Sequence, residues 1–326
     1  MSIAIIDSGI NLNYNIFKNK NIIGINLDNY SEKIDDLIDY SGHGTSCASE
    51  ILRLNPKEEL KIIKILNENS QSSIKKLIEA IEYSSELPDV KIISISASTT
   101  KYNELNDLKK IVDYTTKKKN KLIISASDNR NIVSYPSYLK NVIGVQRSIS
   151  DINTYWFNKK YDIQCICKGR FRLLPSKNKN YCFFGGNSYC TAYFSGIISK
   201  MNLPELDMNK KLDIIEKNAD RTIWTKNNIS ITKDFYYKEL DTYTFEDYEK
   251  IENLKKIILK FNRNIIFNNS QKLYEQIGLI NVFYFINYLN KELKINLNYT
   301  DITSDNLISI VSLNNFINNY LKENYL

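Results

Sequence analysis

Four side chains, Asp7, His43, Asn129 and Ser188, are of the types that together can carry out acyl transfer on a serine. A serine hydroxyl is a weak nucleophile until a base takes its proton. An imidazole suits that task near neutral pH, and a carboxylate can fix its tautomer and stabilise the imidazolium. An amide side chain can donate to the developing oxyanion, a contact worth about 3 to 4 kcal/mol in the transition state. Asp7 closes the apolar run Ile3–Ile6 and opens Asp7-Ser8-Gly9. His43, the one histidine of the chain, stands in Ser41-Gly42-His43-Gly44-Thr45, where flanking glycines leave room for a substrate backbone. Asn129 ends the small-residue stretch 122–129. Ser188 follows Gly186-Asn187 and precedes Ala192, Phe194, Ile197 and Ile198 at helical spacing. That places it at a helix start, where backbone amides and the dipole favour negative charge. Each residue also has a structural reading: Asp-Ser-Gly is a common turn, a lone histidine is often a packing residue, and Gly-Asn-Ser is a good N-cap.

The elements that must position these groups are legible as an alternation. Residues 3–6, 22–25, 60–66, 90–95, 122–126 and 142–145 read as buried strands, and 45–54, 72–87 and 104–118 as helices with apolar stripes. Such alternation predicts an α/β fold, a mostly parallel sheet with helices on both faces. Sites in these sheets gather at the carboxyl ends of strands, where Asp7 and Asn129 stand.

The 326 residues, 43% hydrophobic and 25% charged, suit a globular protein with room for two domains. No run approaches a membrane span, and the first residues are too short for a signal peptide, so the expected location is cytoplasmic, with no membrane partner. Five irregularly spaced cysteines and a single histidine suggest reduced thiols and no metal site, and no cofactor is implied. A net charge of +7 with scattered lysines does not point to nucleic acid.

Residues 1 to about 200 resemble the subtilisin-like serine proteases, the subtilase family. Asp7-Ser8-Gly9 matches its Asp-Ser/Thr-Gly, His43-Gly44-Thr45-Ser46-Cys47-Ala48 its His-Gly-Thr-x-Cys/Val-Ala, and Gly186-Asn187-Ser188 its Gly-Thr-Ser, in the family's order Asp, His, Ser. Asn129 aligns with its oxyanion asparagine, and Tyr135-Pro136 with its Tyr-Pro. The resemblance implies a subtilisin-like fold and a catalytic set of Asp7, His43, Ser188 and Asn129. It also implies a substrate-binding edge at Ser96, Ala97 and Ser98, and an S1 pocket bordered by Arg130 and Ser134. A cation at that rim hints at acidic or polar P1 residues; the other reading of Arg130 is a solvated surface side chain. Departures from the pattern are Asp128 for a glycine before Asn129, Asn187 for threonine, Tyr193-Phe194 for Pro-His, and Ser96-Ala97-Ser98-Thr99 for Ser-Leu-Gly-Gly, which adds side-chain bulk to the S1 wall. A one-residue slip would put an aspartate at the oxyanion position, and Asn187, Tyr189 and Cys190 are expected to crowd Ser188 and restrict it to a narrow substrate. With Asp7 so early and no acidic cluster suited to calcium, the expectation is an intracellular form that folds without a prodomain.

The expected domains are a protease domain over 1–220, a linker over 221–245 and a helical domain over 246–326. That last stretch holds nine basic and nine acidic residues, so the positive charge lies before it. It resembles a small all-α acyl or peptidyl carrier protein, a four-helix bundle, with Gly278-Leu279-Ile280-Asn281 at the carrier motif. Asn281 stands in place of the attachment serine and cannot take a phosphopantetheine arm. The aromatic helix 282–293 is expected to pack on the protease or bind a partner protein. The function expected is an intracellular serine endopeptidase acting on a specific peptide or protein, in leader removal or maturation. The alternatives are a peptide ligase or macrocyclase of the same fold, and a non-catalytic peptide-binding or docking protein.

Overall fold

The computed structural model describes residues 2–100, 104–201, 203–229, 245–267 and 271–325. Runs rich in isoleucine and valine form β1 (Ser2–Asp7), β2 (Ile22–Asn26), β3 (Glu59–Lys64), β4 (Val90–Ile95), β5 (Leu122–Ala126) and β6 (Ile143–Ser148), joined by β7 (Tyr155–Phe157) and β8 (Cys165–Lys168). They make one sheet in the order β2-β3-β1-β4-β5-β6-β8-β7. Its pairings are parallel except that the edge strand β7 runs antiparallel to β8. Asp7 lies at the carboxyl end of central β1, in register with Lys64 of β3.

Both faces of the sheet are covered, which is why its central strands are apolar on both alternating sets of side chains. On one face, α2 (Ile74–Glu86) and α3 (Leu105–Asp113) set Leu77, Ala80, Ile81, Leu108 and Val112 against Ala4, Ile6, Ile63, Ile93 and Ile95. Ile3 and Ile5, which point the other way, are equally buried. Their side carries α1 (His43–Leu54) and α4 (Gly186–Met201), which pack on the sheet and on each other. Gly196 of α4 lies so close to α1 that a Cβ there would come within 2.9 Å of the Leu54 side chain. A further helix, α5 (Met208–Lys217), is capped by Asp207, which accepts from the Lys210 amide at 3.1 Å.

The chain divides into two compact units, and the division is not a single cut. The first takes Met1–Gly169, Pro175–Lys179 and Gly185–Thr232; the second takes Arg170–Leu174, Asn180–Phe184 and Lys233–Leu326. Most of the expected linker, residues 230–244, lies outside the described residues. The second unit is built from β9 (Arg172–Pro175), β10 (Tyr181–Phe184), α6 (Phe245–Phe261), the short α7 (Leu273–Ile277), α8 (Val282–Leu293) and α9 (Ile310–Tyr325). From residue 245 on, the described elements are all helical; the two strands come from residues 172–184, so the unit is not the continuous 246–326 segment expected. The physical reason is apolar cover: Leu173 and Phe183 share one core with Leu254, Ile258, Phe285, Ile286, Leu289 and Leu313. Phe171 stacks on Phe183 with ring centroids 6.3 Å apart, Tyr181 stacks on Phe283 at 5.5 Å, and the Leu173 amide donates to the Ile302 carbonyl at 2.9 Å. The aromatic helix α8 spends Phe285, Ile286 and Leu289 inside this core, and leaves Tyr284 exposed beside Ile280. The apolar stripe of this helix thus packs on the other helices and on a strand drawn from within the expected 1–220 domain.

Candidate active site

β1 delivers Asp7 and the first turn of α1 delivers His43, and the two side chains meet. His43 Nδ1 lies 2.8 Å from Asp7 Oδ1. The carboxylate has no exposed surface, while the imidazole side chain is 30% exposed. Asp7 Oδ1 also accepts from the Ser8 amide at 2.8 Å, whereas Oδ2 is buried without a hydrogen-bond partner. Burial pushes the Asp7 carboxyl up, but the His43 charge and these hydrogen bonds outweigh it and hold the group below its ordinary 3.8. For His43, burial acts downward and the Asp7 charge upward, and the ring is held well above its ordinary 6.5. With Nδ1 donating to the carboxylate, Nε2 is the basic nitrogen. Cys47, one turn along α1, places Sγ 4.0 Å from His43 Nδ1; its buried thiol is pushed up to about 11.

The glycines beside His43 serve protein packing rather than open space. A Cβ on Gly44 would come within 2.3 Å of the Gly9 carbonyl oxygen, and one on Gly42, at φ +83°, within 2.2 Å of Ser176 Oγ. The expected room for a substrate backbone there is filled by the chain itself. A residue that sequence reasoning missed organises this corner: Asp39, fully buried. Its Oδ1 accepts from the Gly42 amide at 2.8 Å and from Ser8 Oγ at 2.9 Å, and its Oδ2 accepts from the Thr45 amide at 2.8 Å and Thr45 Oγ1 at 2.7 Å. It thus caps α1 and links it to the residue beside Asp7. Its place four residues ahead of His43, before a helix start, was the available signal.

At the other end of the site, the Asn187 amide donates to Asn129 Oδ1 at 3.0 Å, and Gly186, at φ +82°, lets the Asn129 amide lie against it. The register slip does not occur. Asp128 turns its carboxylate onto Arg130 in a two-pronged pair of 3.0 and 2.9 Å. Arg130 is therefore already neutralised, and its charge no longer argues for an acidic P1 residue. Ser134 is buried, accepting from the Asp128 amide at 3.0 Å, so it braces this loop instead of presenting a hydroxyl to substrate. Ser188, half-buried, sits in the first turn of α4. Of the residues expected to crowd Ser188, all three are buried: Asn187 by hydrogen bonds to neighbouring segments, Cys190 in the core, and Tyr189 stacked on Tyr193 with centroids 6.1 Å apart.

Beyond the end of β4, Ser96, Ala97 and Ser98 lie outside the sheet ladder and, with His43, line a cavity of about 790 Å³ whose apolar wall is Leu66, Ile74 and Leu77. Thr99, next in the chain, pairs with Tyr135 through hydrogen bonds of 2.9 and 2.8 Å. Among the described residues, Asp7, His43 and Cys47 are the one grouping of three metal-ligating side chains, with ligand atoms within 4.8 Å of one another.

Comparison with known proteins fits this geometry. Residues 1–202 match the family model described as "Subtilase family". The chain is 28% identical over 218 residues to "Major intracellular serine protease" of Bacillus subtilis (strain 168), covering 61% of this chain and 67% of that protein. It is 24% identical over 216 residues to "Intracellular serine protease" of Paenibacillus polymyxa, covering 61% and 65%. The chain thus spans about two thirds of the length of these relatives. Among solved structures, a cold-adapted subtilisin-like serine proteinase superposes with a TM-score of 0.58 at 13% identity, over 69% of this chain and 85% of that one. A structure described as a lanthipeptide protease does so with 0.56 at 18%, over 67% and 80%. The fold of the first unit is subtilisin-like.

Proposed function

This chain belongs to the subtilase family of serine proteases, and we propose that it is a serine endopeptidase in which Ser188 attacks, His43 takes its proton, Asp7 orients the imidazole and Asn129 donates to the oxyanion. The observation that carries this reading is the 2.8 Å pairing of the chain's one histidine with a wholly buried carboxylate, beside a cavity edged by Ser96, Ala97 and Ser98. The Ser188 oxygen adds to the scissile carbonyl as its proton passes to His43 Nε2. Collapse of the tetrahedral adduct passes that proton to the leaving amine and leaves an acyl-enzyme, which water cleaves by the same sequence. Asn129 has its Oδ1 engaged by Asn187, so its NH₂ group is the end turned to donor duty.

The substrate we propose is an extended peptide laid along Ser96–Ser98, cleaved in the maturation of a particular cytosolic product. Two relatives described as intracellular serine proteases and a fold neighbour described as a lanthipeptide protease support that reading. Labelling with a fluorophosphonate probe, compared between the native chain and Ser188→Ala, tests it. A Ser188-dependent adduct is expected, and its absence from the folded native protein would return the chain to a peptide-binding role.

A further inference from the structure

Asn187 stands between the proposed nucleophile and the proposed oxyanion donor, and it is among the most heavily hydrogen-bonded side chains of the first unit. It is 1% exposed. Its Nδ2 donates to the Ser127 carbonyl and to Ser127 Oγ, both at 2.9 Å, and lies 3.2 Å from the Asp128 carbonyl. Its Oδ1 accepts from the Arg147 amide at 2.9 Å. Its own backbone amide holds Asn129 Oδ1.

The orientation of both amides follows from their partners. Backbone carbonyls can only accept and backbone N–H groups can only donate, so each asparagine has one arrangement that satisfies the network. The Asn187 side chain does not cap its own helix. It reaches out to the segment after β5, which carries Asn129, and to β6, and ties both to the first turn of α4 one residue ahead of Ser188. The threonine of the family pattern, with one hydroxyl proton, has no means of making these contacts together.

We infer that Asn187 is a positioning residue that fixes the separation and orientation of the Asn129 amide relative to Ser188. An oxyanion donor acts only if it is in place before charge develops, and small displacements cost rate rather than ground-state affinity. The inference rests on the roles proposed above for Ser188 and Asn129.

Its test is steady-state cleavage of a chromogenic peptide amide by the full chain, with the inhibition constant of a matching peptide boronic acid, whose serine adduct uses the same donor. Asn187→Ala is expected to lower kcat by about 10²-fold, to leave KM within about twofold, and to weaken the boronate by a factor similar to the loss in kcat. Asn187→Asp, which keeps an acceptor for the Arg147 amide but sets a carboxylate oxygen against the Ser127 carbonyl, should do the same. Ser127→Ala, which removes one partner only, should give a smaller loss of the same kind, and it carries the test if neither Asn187 variant folds. An unchanged kcat in the folded variants, a loss confined to KM, or a lower kcat with undiminished boronate affinity would overturn the inference. If the native chain itself forms no Ser188 adduct, it is the proposed function that fails.

Discussion

The carboxylate of Asp7 holds the imidazole of His43 by one oxygen, at 2.8 Å, while its other oxygen is buried with no hydrogen-bond partner. The strongest neighbour of that carboxylate is therefore the ring itself, and the coupling runs both ways. Asp7→Asn replaces an acceptor with an amide that can donate to Nδ1 and favour the wrong tautomer, and kcat should fall by roughly 10⁴-fold. The pH profile gives a second readout. An imidazolium cannot act as a base, so activity must rise with pH through the native value of His43, which Asp7 holds well above 6.5. In Asp7→Asn the acid limb of kcat/KM should move to lower pH, measured between about pH 5 and pH 10. A limb that stays put would show that another group sets it.

Stability should follow the opposite trend. Asp7 is depressed in the native state, so its contribution is present above the unfolded value of 3.8 and is lost as pH falls through the lower native one. His43 is raised, so its contribution is complete below 6.5 and is lost as pH rises through the higher native value. The pair should stabilise most between about pH 4 and 6.5, where the imidazolium form keeps activity low. Urea unfolding across pH, with Asp7→Asn as reference, measures this; a difference that does not change with pH would contradict it.

From a fully buried position, Asp39 accepts from the amides of Gly42, just before α1, and Thr45, in its first turn, and from the hydroxyls of Ser8 and Thr45. Removing it in Asp39→Ala strands several buried donors, and we expect a loss of about 3 kcal/mol in unfolding free energy together with lower activity. Loss of activity with full stability would give Asp39 a catalytic role instead.

Thiol labelling should separate the five cysteines. Cys47, Cys165, Cys167 and Cys190 are buried and Cys182 is half-buried. Mass mapping after brief iodoacetamide treatment at neutral pH should find the label on Cys182 first. Cys47, with its thiol pushed up to about 11, should stay unlabelled until the protein unfolds or the solution becomes strongly alkaline. Early labelling of Cys47 would mean that the α1 corner opens readily.

Phe285 packs edge-on against Phe261, ring centroids 5.3 Å apart, in the core that also holds Leu173 and Phe183. Phe285→Ala should cost that unit about 3 to 5 kcal/mol. Amide exchange should quicken in β9 and β10 as well as in α8, since they share one core. Unchanged exchange in the two strands would show that they do not unfold with the helices.

Strands β1 to β6 and helices α1 to α3 were legible because each is an apolar run of the right period ended by a turn residue, and the alternation leaves few topologies; the short β7 and β8 were not. Asp7, His43, Asn129 and Ser188 were legible because polar groups at strand ends and helix starts are chemically conspicuous. Asp39 was not, since a buried aspartate and the exposed Asp35 a few residues before it look alike in a sequence. The glycines beside His43 could be seen, but whether the space they open is filled by substrate or by Ser176 depends on a loop more than a hundred residues away. The inward turn of Tyr189 and Cys190 and the pairing of Arg130 with Asp128 depend on rotamers. The kinship of residues 170–184 with the helices was hidden for a similar reason. Short apolar strands do not announce which core will take them.

That kinship bears on the order in which the molecule assembles. Leu173 and Phe183 leave the ribosome ahead of Ser188, yet the side chains that cover them run from Leu254 to Ile317. The two strands that lead into the helix bearing Ser188 must wait, uncovered, while some seventy to one hundred and forty further residues are made, at roughly 5 to 20 residues per second. Those two strands are thereby among the last parts of the newborn protein to gain their apolar cover, although they are made well before the helices that supply it.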